Sequence, residues 1–111
     1  MIIKQPLKLL RTMNDYTDLI NSSHVVMIEF YATWCPHCQR MMPVVAQIRE
    51  LIGDTAGIYQ LDIDKNEETA NENGVSGIPT FIIYRDGKPV WQYSGEIDGN
   101  VLLQKLQSFI G

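Results

Sequence analysis

The chain has two cysteines, and both stand in one short segment, Trp34-Cys35-Pro36-His37-Cys38. Thiols at this spacing suit thiol–disulfide exchange, provided one of them ionises and the other can reach it. The run before the segment reads as a buried strand and the run after it as a helix, so Cys35 stands where a helix begins. Unpaired amide N–H groups and the positive end of the macrodipole favour an anion there. Cys35 is therefore expected to ionise more readily than Cys38 and to attack a disulfide. Cys38, one turn along, would resolve the mixed disulfide by attacking Cys35. Such a cycle needs no bound cofactor. Other uses of the pair fit poorly. Structural zinc takes four ligands, and only His24 and His37 accompany the cysteines, so no metal is expected. A c-type haem motif needs histidine directly after Cys38, where Gln39 stands. A purely structural disulfide would close too small a loop to stabilise much.

The elements that must position the cysteines are legible. Val25 to Tyr31 is interrupted only by Glu29, as a central strand covered on both faces requires. After the cysteines, Met41, Met42, Val44, Val45, Ile48, Leu51 and Ile52 recur at helical spacing, and Gly53 supplies a stop. This predicts the longest helix, with its apolar stripe, both methionines included, in the core. Pro43 has no N–H to give the carbonyl of Gln39, so a kink is expected one to two turns past the cysteines. Ile58 to Ile63 reads as a further strand and Glu67 to Asn73 as a short helix ended by Gly74. Thr80 to Tyr84 and Val90 to Ser94 flank Arg85-Asp86-Gly87-Lys88, the signature of an antiparallel hairpin. Upstream, Leu7 to Leu10 is a candidate strand, and Asn14 is the expected cap of a helix through Tyr16, Leu19 and Ile20. Asp98 is a candidate N-cap for a last helix carrying Leu102, Leu103, Leu106, Phe109 and Ile110. Strands alternating with helices and then a hairpin predict an α/β fold, a mixed central sheet flanked by helices on both faces.

Composition narrows the partners. A chain of 111 residues, 45% of them hydrophobic, is expected to form one domain over 1–111 and to bury its own core. A net charge of −4 without any Lys/Arg cluster leaves no footprint for nucleic acid or anionic lipid. No apolar stretch approaches a membrane span, and Lys4, Pro6, Lys8 and Arg11 break up the first residues, so neither membrane nor signal peptide is expected. The expectation is a cytoplasmic monomer.

Phe30-Tyr31-Ala32-Thr33-Trp34-Cys35-Pro36-His37-Cys38, Pro43, Ile78-Pro79-Thr80, Gly87 and Gly95 together resemble the thioredoxin family over nearly the whole chain. The resemblance implies the thioredoxin fold, a Cys-x-x-Cys exchange cycle on protein disulfides, and a cis peptide bond at Pro79 opposite the cysteines. It also implies a substrate face of Trp34, Gly77, Ile78, Pro79, Ser94 and Gly95 around the sulfurs, shallow and apolar. Backbone beside Pro79, which has no N–H, can pair there with an extended substrate chain. A flavin-dependent thioredoxin reductase is the implied recycling partner, in a role in electron transport and redox homeostasis.

Three features depart from the family pattern. Between the cysteines stands Pro36-His37 rather than Gly-Pro, a pair that resembles the one in the periplasmic oxidant DsbA. A protonated imidazole at His37, or a ring N–H aimed at the sulfur, would favour the Cys35 thiolate further. A fall in its pKa from about 7, the value known in thioredoxin, to about 5 would make the pair roughly 50 mV more oxidising. Glu29 stands where the family has a buried aspartate, and Gln60 matches its neighbouring lysine. Burial without a charged partner raises a carboxyl pKa, and a Glu29 half-ionised near neutrality suits proton exchange with Cys38. The resemblance assigns the family's aspartate such a role, through water. The function expected is a thiol–disulfide oxidoreductase, a thioredoxin-like reductase with a less reducing potential. A disulfide donor of oxidase or isomerase type, or a thioredoxin-fold binding module that does not use its thiols, are the alternatives left open.

Overall fold

In the computed structural model, residues 13–111 are described; the candidate strand Leu7 to Leu10 lies outside them. Helix α1 (Met13–Ile20) leads into strand β1 (Val25–Tyr31) and helix α2 (Pro36–Ile52). A 3₁₀ turn (Gly53–Thr55), β2 (Gly57–Asp62) and α3 (Glu67–Glu72) follow. The hairpin β3 (Thr80–Arg85) and β4 (Lys88–Ser94) and helix α4 (Gly99–Ile110) complete the order. Asn14 falls within α1 rather than at its cap.

The sheet order is β2-β1-β3-β4, parallel between β1 and β2 and antiparallel elsewhere. It is the mixed sheet expected. Strand side chains alternate between faces, so β1 feeds two cores. Val25 and Met27 join Met41, Val45, Ile48 and Ile52 of α2 and Leu102 and Leu106 of α4. Val26, Ile28 and Phe30 point the other way, onto Tyr16 and Ile20 of α1 and Ala70 of α3. Covering on both faces explains why β1 is apolar without alternation. Glu29 shares the parity of Val25 and Met27 and thus faces α2.

The buried side chains of α2 are Cys38, Met41, Val45, Ile48 and Ile52, a single stripe at helical spacing. Met42 and Leu51 lie off it and are exposed by 57% and 70%. The expectation that Met42 and Leu51 belong to the core stripe is therefore corrected: one sheet face can cover only one stripe of the helix. Pro43 sits inside α2, which runs through it, and Gly53 ends the helix with φ 57°. Between β3 and β4 the two loop residues Asp86 and Gly87 have φ of 52° and 80°, as a tight hairpin of this twist requires. No helix among the described residues is long and apolar enough to cross a membrane.

Asp98 caps α4 as expected, its Oδ1 accepting from the amides of Asn100 (2.9 Å) and Val101 (3.3 Å). The cap holds the helix start from which Leu102 and Leu106 enter the core. Asp98→Ala should lower stability by about 1 kcal/mol. In urea unfolding the midpoint should fall while the slope stays unchanged.

Candidate active site

The end of β1 delivers Tyr31 and Ala32 to the cysteine turn, and α2 starts at once. Pro36 takes the first helical position, where its missing N–H leaves no bond unmade. Cys35 is the N-cap residue, in extended conformation, and its carbonyl accepts the first helical bond from the Gln39 amide at 3.0 Å. Cys35 and Cys38 are free thiols, exposed by 4% and 1%. They pack against Ala32, with Tyr31, Ile63 and Ile78 at the margin. Opposite them, the Ile78–Pro79 bond is cis. The Ile78 carbonyl lies 3.9 Å from Cys35 Sγ, and the Pro79 carbonyl accepts from the Gly95 amide at 2.7 Å. Segments more than forty residues apart in sequence thus meet at the sulfurs.

Burial and hydrogen bonding pull the two thiols in opposite directions. At Cys35 burial raises the pKa, but it is outweighed by the amide and thiol of Cys38, the amide of His37 and the charge of Arg40, and the net shift is downward. No side-chain capping hydrogen bond is complete at this helix start; the amides of the first turn nevertheless favour a negative sulfur. At Cys38 burial dominates. The Ala32 amide offsets it in part, while Cys35 and Glu29 add to it, and the thiol is pushed up to about 12. The order of acidity expected from the helix terminus is that of the structure.

Glu29 is 1% exposed. Its Oε1 accepts from Gln60 Nε2 at 2.9 Å, across the parallel register that sets Glu29 beside Gln60. Burial raises its pKa to about 7, against the Gln60 hydrogen bond and the charge of Arg49, which both lower it. Arg49, on α2, donates to the Ile58 carbonyl at 3.1 Å and supplies a cation that sequence had not suggested. Glu29 and Cys38 interact electrostatically.

His37 departs from expectation. Its Nδ1 lies 2.6 Å from Glu96 Oε2, and the ring is exposed. Arg40 reaches the same oxygen through Nε at 2.8 Å and Nη2 at 2.7 Å. The imidazole N–H is spent on a carboxylate, so the cation that acts on Cys35 is Arg40 and the part of His37 that acts on it is the backbone amide. A carboxylate brought in from the loop after β4 outcompetes a thiol for the ring proton because charge-assisted bonds are the stronger.

Trp34, exposed by 62%, donates from Nε1 to Asp64 Oδ2 at 2.8 Å. It lines a groove of about 300 Å³ with Ile63, Val75, Gly77 and Ile78, bordered by the carboxylates of Asp64 and Glu67. The substrate face is therefore less apolar than the resemblance implied. Gly77, Ile78 and Trp34 meet there; Gly95 and Ser94 lie beyond it, Gly95 bonded to Pro79 and Ser94 Oγ 2.8 Å from Thr80 Oγ1. Of the residues sequence missed, only Arg40 carried a signal, one turn along the helix from His37. Glu96, Asp64 and Arg49 meet their partners through the fold alone. Among the described residues, no group of three or more His, Cys, Asp or Glu side chains is arranged to hold a metal.

A mixed sheet with helices on both faces and a buried dithiol at a helix start opposite a cis proline defines a thioredoxin-fold dithiol protein. The family model described as Thioredoxin matches residues 8–108, and the chain belongs to the thioredoxin family. Thioredoxin 2 of Chlorobaculum tepidum is 38% identical over 101 residues, covering 88% of this chain and 90% of that protein. The chloroplastic thioredoxin Y of rice, Oryza sativa subsp. japonica, is 34% identical over 99 residues, 88% of this chain and 59% of the relative. This chain spans just under three fifths of the length of such chloroplastic relatives. Among solved structures, a thioredoxin point mutant from Halobacterium salinarum superposes with TM-score 0.83 at 30% identity, over 92% of this chain and 88% of that one.

The Glu29 carboxyl makes stability depend on pH. Unfolded, it releases its proton near 4.5; folded, it keeps it to about 7. Between those values the folded state holds the extra proton, so stability falls as pH rises and levels off above about 7. The total effect is on the order of 3 kcal/mol. Glu29→Gln keeps the shape and removes this contribution. Relative to Glu29→Gln, the wild type should lose stability across that window in urea unfolding at a series of pH values, and equal pH profiles would contradict a buried titrating carboxyl.

Proposed function

We propose that the chain is a thiol–disulfide oxidoreductase that reduces disulfides in protein substrates, with Cys35 as attacking and Cys38 as resolving thiol. The observation that carries this is a pair of buried free thiols at one helix start, opposite the cis Ile78–Pro79 bond, with Cys35 at the amides of the first turn and the buried carboxyl of Glu29 close enough to Cys38 to interact with it. The Cys35 thiolate attacks one sulfur of the substrate disulfide; that S–S bond breaks and the second substrate sulfur leaves as a thiolate, which takes up a proton. Cys38 then gives its proton to Glu29, acting as general base directly or through water. The Cys38 thiolate attacks Cys35 Sγ and expels the first substrate sulfur, which is protonated in turn. Two electrons have passed to the substrate and a Cys35–Cys38 disulfide remains.

Substrate would lie across Trp34, Gly77, Ile78, Pro79 and Gly95 as an extended chain, a binding mode supported by the open groove beside the sulfurs. Pro36 contributes by starting the helix whose amides face Cys35. The charge of Arg40 and those amides favour the thiolate, which stabilises the dithiol and supports a potential less reducing than such a pair would have without them. Return of the disulfide to the dithiol takes two electrons and two protons, and a flavin-dependent thioredoxin reductase in a reducing compartment such as the cytoplasm is the source we propose.

Cys35→Ser should abolish reduction of a protein disulfide. Cys38→Ser should still attack and should accumulate mixed disulfides that a reductant releases. Glu29→Gln should slow resolution about 10²-fold or more, the lower range for general-base catalysis, with little change in the first attack. Rapid-quench trapping of the mixed disulfide separates the two steps. Adducts formed through Cys38 would reverse the assignment of the thiols. Full activity of a Cys35→Ser, Cys38→Ser double variant would favour the binding-module alternative.

A further inference from the structure

Beside the sulfurs, one polar cluster is bonded in an unusual way. A single carboxylate oxygen, Glu96 Oε2, receives Arg40 Nε and Nη2 and His37 Nδ1, all within 2.8 Å. A carboxylate only accepts, so Nδ1 carries the ring proton. It then has no lone pair for Arg40 Nη2, although the two nitrogens stand 2.9 Å apart. Two donors are held face to face by the anion they share. One of them belongs to the residue between the two cysteines.

We propose that Glu96 is a positioning residue for the redox pair: it engages the donors of His37 and Arg40, offsets the charge of Arg40, and so keeps Cys35–Cys38 more reducing than the same Pro36-His37 segment would be without it. This rests on Cys35 being the exchanging thiol, as proposed above. The imidazole N–H points at Glu96, not at the sulfur. Arg40 does interact electrostatically with Cys35, but as half of an ion pair its field falls off faster than that of a free cation. The Arg40 hydrogen bonds first, and the His37 bond second, hold the Glu96 carboxyl down at about 2, so it stays charged wherever Cys35 titrates. Without that charge the two facing donors repel and at least one must move. An Arg40 charge no longer offset and two released donors near the sulfur both favour the Cys35 thiolate, and with it the dithiol. Cys38, Glu29, Tyr31, Asp62, Asp64, Glu67 and Tyr93 are other ionisable groups around this end, and the hydrogen-bond partners of the Glu96 carboxylate are Arg40 and His37 alone among the described residues.

Glu96→Gln preserves the shape and removes the charge. In equilibrium with glutathione, protein disulfide plus two glutathione thiols gives protein dithiol plus glutathione disulfide, and a more stable Cys35 thiolate moves this balance toward the dithiol. The expected result is a lower Cys35 pKa by ultraviolet thiolate titration, with an equilibrium constant about two- to fivefold larger toward the dithiol, the size of an exposed ion-pair interaction. The fivefold limit corresponds to about 20 mV. In a His37→Gly, Arg40→Met background the shift should largely disappear, because Glu96 acts through those two side chains. An unchanged or raised Cys35 pKa in Glu96→Gln, or the same shift in the background lacking both partners, overturns the role of Glu96 while leaving disulfide exchange intact. A wild-type pair that glutathione can neither oxidise nor reduce overturns the exchange function and the role of Glu96 with it.

Discussion

Negative charge is costly in a protein interior, and this molecule gathers three buried groups that can acquire it at one end of its sheet: Cys35, Cys38 and Glu29. The architecture around them settles which one holds the charge. Amides of the first turn of α2 and the cation of Arg40 favour the sulfur of Cys35. Cys38, one turn deeper, meets burial and the neighbouring thiol and carboxyl instead. Glu29 is softened by Gln60 and Arg49 just enough to titrate near neutrality. The disulfide exchange proposed for this chain relies on that ordering, with one ready nucleophile, one reluctant thiol and a carboxyl to take its proton.

The ordering depends on packing far from the sulfurs. Glu29 is buried because β1 is a central strand, with a partner on each side and helices on both faces. It faces the cysteines' helix because it shares the parity of Val25 and Met27. The helix keeps its start in place because a single stripe, from Cys38 through Ile52, is seated on the sheet. Stability and reactivity conflict at Glu29 in particular, since a carboxyl held half-ionised by burial costs folding free energy at neutral pH.

A second tier of polar contacts surrounds the buried trio at its exposed rim. Glu96 gathers His37 and Arg40, and Asp64 fixes the indole of Trp34. These bonds join the first turn and a half of α2 to the loop after β4, and the segment before α2 to the turn after β2. The first sets which donors face Glu96 beside Cys35, and the second sets the orientation of the indole that lines the groove.

Sequence alone determined the strand before the cysteines, the helix after them, the hairpin at Asp86-Gly87, the Asp98 cap and the acidity order of the two thiols. Each of these follows from local rules: side-chain period, a glycine where φ must be positive, unpaired amides at a helix start. The burial of Glu29 was legible as well, because a carboxylate inside an otherwise unbroken apolar strand has no route to water. The outcome at Met42 and Leu51 was not legible, since an apolar residue beside the stripe looks the same in sequence as one on it and only the seating of the helix on the sheet face separates them. The orientation of His37 could not be read either. An imidazole next to a sulfur follows whichever partner offers the stronger hydrogen bond, and that partner, Glu96, is 59 residues away. Arg49 and Asp64 came to their places in the same way. Local spacing thus decided which two thiols stand together at the helix start, and tertiary structure decided the field around them, because electrostatic partners are chosen by distance in space and not along the chain.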